Sequence, residues 1–223
     1  MSSTNTGDAM VAKDESRAMV REHFADVRAM LGELPDERWD EASFCEGWRV
    51  RDLIGHLLAG TTIPIPRFAA TLAAGGFRID EVSRRVSIEL GNQPIGDLRE
   101  QFNKESSREK PRGFAGLLPP QGILLDWVTH YLDIVIPLDI NVDIPDDRLT
   151  AALDVARKDN RFKTKKRSKG LRLIATDLDW RRGSGPEVYA PAGVLISTLG
   201  GRPQLLAELE GDGADLLRQR VAA

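Results

Sequence analysis

GILLDWVTHYLDIVIPL, residues 122–138, is the stretch on which the reading of the fold turns. Its 17 residues are apolar on nearly all sides of a helix. That is short of the roughly 20 residues needed to span a bilayer and enough for a helix enclosed by other helices. Within it Asp126 and His130 stand four apart and project from one face of consecutive turns. A buried carboxylate or imidazole without compensation costs on the order of several kcal/mol, so the pair needs a reason to be there.

A second misfit lies upstream, in CEGWRVRDLIGHLLAG, residues 45–60, where His56 sits among Leu53, Ile54, Leu57 and Leu58. This helix starts near Arg49, with Asp52 complementing the dipole of its first turns, and runs to about Gly60. It can resume after Pro64 and Pro66 through FAATLAA until Gly75-Gly76 closes it. Before it, Val20, Phe24, Val27, Leu31 and Leu34 mark one helical stripe that Pro35 ends. Between it and the 122–138 segment, a helical region from about Asp80 to Lys110 is broken at GNQP, residues 91–94. The order predicts a four-helix bundle over residues 1–145, with about ten polar residues at the start disordered.

After the NVDIPDD turn the pattern changes. DDRLTAALDVARK reads as a helix, RFKTKKRSKG as a basic loop, GLRLIATDLDW as an alternating strand, and APAGVLISTLGGR as a short helix ending at a glycine pair. Residues 146–223 are therefore predicted to form a small α/β domain, and the chain as a whole is α+β.

Bulk properties narrow the function classes. A formal charge of −3 over 223 residues does not imply a polyanionic partner. The start, MSSTNTGDAM, has neither the basic nor the apolar region of a signal peptide, and no apolar run is long enough to span a membrane, so a cytoplasmic protein is expected. Cys45 is the only cysteine, which excludes an internal disulfide and multi-cysteine zinc patterns. Any metal must use nitrogen and oxygen ligands.

If the helix of His56 lies beside that of Asp126 and His130, the three give a His-Asp-His set with a fourth position left for water or substrate, the coordination of a catalytic divalent metal. The competing reading is structural: a buried Asp126–histidine ion pair, or a hydrogen-bonded core histidine.

The succession SFCEGWRVRDLIGHL, then DWVTHYLDI, then LRLIATDLDWRRGSGPEVYAPAGVLISTLGGR resembles the mycothiol-dependent maleylpyruvate isomerase family over about residues 10–220. The resemblance implies a DinB-like four-helix bundle holding a divalent metal, commonly zinc, and a sterol-carrier-like C-terminal domain. His56, Asp126 and His130 fall on the family's metal ligands. The isomerase has a glutamate at the middle ligand where this chain has Asp126, a departure that separates family membership from identity of activity. The implied cosubstrate is mycothiol, whose thiolate adds to a conjugated cis double bond, allows rotation, and leaves as the trans acid forms. S-transfer to a small electrophile would share the first step. Arg202, in the GGR turn, resembles the arginine by which the second domain reaches the site, and would clamp a substrate carboxylate in a catalytic role. Its plain alternative is a surface arginine.

Other residues carry weaker signals. Asp52 and Asp133, at helical spacing from His56 and His130, could orient those rings through the second nitrogen, or serve as a helix-start charge and a local hydrogen-bonding residue. His23, beside Glu22, reads as a surface residue, Cys45 as structural, and the four tryptophans as packing residues. Residues 157–172 hold nine basic side chains and one acidic, yet no nucleic-acid-binding motif accompanies them, and no nucleic-acid or membrane partner is expected. The second functional class is a non-catalytic, metal-stabilised bundle acting as a binding or regulatory module. Oligomeric state and the physiological substrate are not legible.

Overall fold

The structure, a computed structural model, describes residues 4–76, 78–159 and 163–222. It is α+β, as the sequence indicates: helices throughout and one small sheet near the C-terminus. The chain divides into two compact units, the first ending at Ile123 and the second beginning at Leu124.

The first unit is helical, with α1 (Thr4–Glu33), α2 (Val50–Thr62), α3 (Ile65–Ala74), α4 (Ile79–Gly91) and α5 (Ile95–Ser106). Helix α2 is its centre and packs on α4 and α5, while α1 packs on α5. The apolar stripe of α2 explains this: Val50, Leu53, Ile54, Leu57 and Leu58 are all buried. Asp52 fixes its start by accepting a hydrogen bond from the Arg49 backbone N–H at 2.9 Å. Pro64 and Pro66 end it and begin α3 at a 120° bend. At the far end of α1, Arg99 of α5 donates to the Leu31 carbonyl at 3.1 Å and to that of Leu34, pairs with Asp36 at 2.7 Å, and lies over the Trp39 ring. One planar guanidinium thus satisfies helix-end carbonyls and covers a core tryptophan.

The contact of α2 with α4 depends on small residues. A Cβ on Gly55 would lie 2.2 Å from the Ser87 carbonyl oxygen and 2.8 Å from the Gly91 nitrogen; one on Gly91 would lie 2.6 Å from Asp52 Oδ1. The two backbones meet where neither has a side chain to interpose.

The second unit holds most of α6 (Pro120–Val135), then α7 (Asp146–Ala156), α8 (Thr164–Ser168), α9 (Ala192–Leu199) and α10 (Ala214–Ala222). Three short strands, β1 (Arg172–Ala175), β2 (Arg181–Gly183) and β3 (Glu187–Ala190), pair in the order β2-β1-β3. β1 is antiparallel to β2 and parallel to β3, with Leu173 opposite Val188 and both buried. Helix α9 is the hub of this unit and packs on α7, α8 and β1. It meets α6 at its glycines: a Cβ on Gly193 would touch Leu132 at 3.4 Å, and one on Gly200 would touch Thr129 at 3.2 Å.

Several expectations change. The division of contacts falls at residues 123–124, within α6, while the sequence marks a turn near residue 145. Helix α1 takes in residues 4–10, expected to be disordered, because Ala9, Met10, Ala12 and Lys13 favour helix and no proline intervenes; residues 1–3 lie outside the described residues. The basic loop contains α8, and residues 160–162 of it lie outside the described residues. Among the described residues no single helix is long and apolar enough to cross a membrane.

Replacing Gly55 with alanine should cost about 2 kcal/mol, since the new methyl group meets backbone atoms that cannot rotate away. Urea unfolding should show a lower midpoint with an unchanged slope; a midpoint equal to that of the unmodified protein would contradict the close approach.

Candidate functional site

In the second unit the chemistry gathers on α6. The imidazole of His130 presents Nε2 to Asp126 Oδ1 at 3.7 Å and Nδ1 to Asp133 Oδ2 at 3.0 Å. Spacings of four and three on one helix put both carboxylates within reach of one ring. Asp133 accepts from Nδ1–H, so in the neutral ring Nε2 carries the lone pair, on the side of Asp126. The orienting role considered for Asp133 is therefore the one it has.

Asp133 is 0% exposed, and its carboxylate is satisfied from a second direction by Arg202. Nε of Arg202 donates to Oδ1 at 2.7 Å, Nη2 donates to Oδ2, and Nη1 donates to the Gly200 carbonyl at 2.7 Å. Burial by itself would raise the Asp133 carboxyl, but the hydrogen bonds from His130 and Arg202, with the arginine's charge, overcome it and hold the group at about 2. The guanidinium edge expected to grip a substrate carboxylate is thus engaged with Asp133, as a parallel, two-point pair.

In the first unit, His56 is held differently. Its Nδ1 lies 3.3 Å from Ser83 Oγ and 3.5 Å from Ser87 Oγ, both on α4. Ser87 donates its one hydroxyl proton to the Ser83 carbonyl at 2.7 Å, so toward His56 its oxygen can only accept. Trp48 flanks it, with ring centroids 5.2 Å apart and a tilt of 46°. That tryptophan is set by the turn before α2, in which Gly47 takes φ +73°, Trp48 N–H donates to the Cys45 carbonyl at 3.0 Å, and Ser43 N–H donates to the Trp48 carbonyl at 2.9 Å. The Ser-x-Cys-x-Gly-Trp stretch is a device for placing that ring.

Some sequence readings need correction. Asp52 does not orient His56; its carboxylate is bonded to Arg49 through the backbone N–H, Nε and Nη2, and the serines take the orienting place. His23 is 0% exposed, not a surface residue: it sits three after Val20 and four before Val27, on the buried side of α1. Trp39, Trp127 and Trp180 are buried as expected, but Trp48 is half-buried beside His56. Cys45 is half-buried, and its N–H donates to Ser43 Oγ at 3.2 Å.

The mycothiol maleylpyruvate isomerase N-terminal domain family matches residues 20–115. Two solved structures share the fold over most of the chain: the mycothiol-dependent maleylpyruvate isomerase, at 15% identity and a TM-score of 0.58, and a histidine-to-alanine mutant of it, at 14% and 0.57. In each case the alignment covers 91% of this chain and 93% of the other. No curated protein matches the chain. The family match takes in Trp48, His56, Ser83 and Ser87, while Asp126, His130, Asp133 and Arg202 lie beyond it.

The low value of Asp133 makes a pH prediction. Its folded carboxyl lies below the ordinary 3.8, so its contribution to stability is present above about pH 4 and is lost as the pH falls to about 2. Asp133→Asn should lack that segment of the acid transition in urea unfolding. Arg202→Ala, which leaves a buried carboxylate without its two-point partner, should cost about 3 kcal/mol at pH 7. An arginine-free variant as stable as the original would show that the pair is not what holds the carboxylate.

Proposed function

We propose that this chain is a metal- and mycothiol-dependent enzyme, with His56, Asp126 and His130 as the ligands of one divalent ion, zinc by the chemistry of the donors. The observation that carries the reading is the state of His130: one nitrogen fixed by a buried carboxylate, the other turned to Asp126. Ligating imidazoles are oriented in this way through their second nitrogen. His56 meets the same requirement with serine hydroxyls in place of a carboxylate. Two nitrogens and one carboxylate oxygen suit zinc and leave a position for a thiol.

A divalent cation held by these residues would favour thiolate over thiol and so would make the mycothiol sulfur nucleophilic at neutral pH. The chain's own residues orient and exclude. Asp133 and Arg202 lock the ring of His130, Ser83 and Ser87 lock that of His56, and Trp48 shields one side of it from water. Arg202 is on this account a positioning residue, acting through Asp133. The substrate class is a small conjugated cis acid, isomerised to its trans form, or a small electrophile that accepts the sulfur. The family of residues 20–115 favours isomerisation.

Purified protein should carry about one divalent ion per chain, and it should consume an unsaturated or halogenated acid only when mycothiol is present. Metal without thiol-dependent turnover would replace the enzyme with a metal-stabilised binding module. His130→Ala should lose the ion and keep its helical circular dichroism, because α6 remains apolar on its other faces. Full metal occupancy in that variant would remove the ligand set proposed.

A further inference from the structure

A cavity of about 600 Å³ opens in the first unit, with none of His56, Asp126 or His130 in its lining. One wall is α1, where Val20 and Phe24 are four residues apart and buried, and Arg17 and Arg21 four apart on the adjoining face. The opposite wall is the segment from Arg108 to Gln121, which contributes Lys110 and Leu118, with Leu117 64% exposed at the mouth. The size falls within the range of small-molecule pockets.

Its charge is one-sided. Four cations, Arg17, Arg21, Arg108 and Lys110, line it against a single carboxylate, Glu109. Arg17 is paired with Asp14 at 2.9 Å, and Arg108 with Glu105 at 2.7 Å and 3.0 Å. Arg21 and Lys110 form no ion pair among the described residues. Unneutralised cations beside an apolar floor suit a ligand with one anionic end and an apolar body, since the floor removes apolar surface from water while the cations take the charge.

We infer that this cavity binds a small organic anion of that kind, a medium-chain or aromatic carboxylate, its head toward Arg21 and Lys110 and its body along Leu117 and Leu118, over Val20 and Phe24. The site is separate from the ligand set proposed above and does not need it.

Calorimetric titration of the purified chain with decanoate tests this, with decanol as the uncharged comparison. Decanoate should bind one per chain and at least tenfold more tightly than decanol. An Arg21→Ala, Lys110→Ala double variant, altered only at exposed positions, should lose at least tenfold in decanoate affinity while its thermal midpoint stays within a few degrees. A Leu118→Trp variant, which adds bulk to the loop side of the lining, should weaken both ligands together. His130→Ala should bind decanoate as the unmodified protein does, so that failure of the metal reading leaves this one standing. Equal binding of decanoate and decanol, unchanged affinity in the double variant, or no binding at millimolar decanoate would each overturn the inference.

Discussion

The second unit is organised around one buried charge. Asp133 has no access to water, and a carboxylate in that condition must be neutralised from within or unfold its surroundings. Among its partners are two from different parts of the chain: His130, one turn back on the same helix, and Arg202, 69 residues later, in the turn that follows α9. The pair with Arg202 requires the Gly200-Gly201 turn to bring the guanidinium back toward α6, and Gly200 can approach Thr129 only because it has no side chain. Packing of α9 on α6 and neutralisation of Asp133 are therefore one event. The orientation of His130 follows from it, because the carboxylate that accepts from Nδ1 is itself immobilised.

The first unit reaches a similar result without charge. His56 is fixed by serine hydroxyls on α4, and these are near enough only because Gly55 and Gly91 let α2 and α4 approach. The two imidazoles thus differ in what holds them. A carboxylate partner both orients a ring and increases the electron density on its other nitrogen, whereas a hydroxyl mainly orients. On the proposed ligand set, His130 would then be the stronger donor and His56 the more adjustable one. Replacing Asp133 should consequently disturb metal affinity more than replacing either serine.

Much of the fold is legible in the sequence because it follows from short-range pattern. The 3.6-residue stripe of α1 from Val20 to Leu34, the break between α4 and α5 at GNQP, and the glycine pair after α9 each announce themselves within a dozen residues. The pair Asp126 and His130 is legible for the same reason, as polar residues in an apolar helix. Harder features depend on distance in the chain. Nothing near Ser83 or Ser87 says that they face His56, 27 and 31 residues earlier, and Gly55 reads as a tolerated defect in a helix until Ser87 is placed against it. The spacing of His23 from Val20 and Val27 is that of a buried position, and the neighbouring Glu22 carries no weight, since adjacent helical residues point about 100° apart.

Arg202 shows why residue type and role separate. A fork of donors in a turn suits a substrate carboxylate, and the same geometry suits Asp133 equally well. The two uses differ in what a substitution does. If the fork gripped substrate, lysine would weaken binding and leave the folded protein intact. Because the fork holds a buried carboxylate by two points and also donates to the Gly200 carbonyl, lysine can supply the charge but not the geometry, so it should cost stability before it costs substrate affinity. A variant with an unchanged unfolding midpoint and a raised KM would instead place substrate on the guanidinium. The distinction matters for the proposed chemistry, since a positioning arginine fixes the ring of His130 whether or not substrate is present.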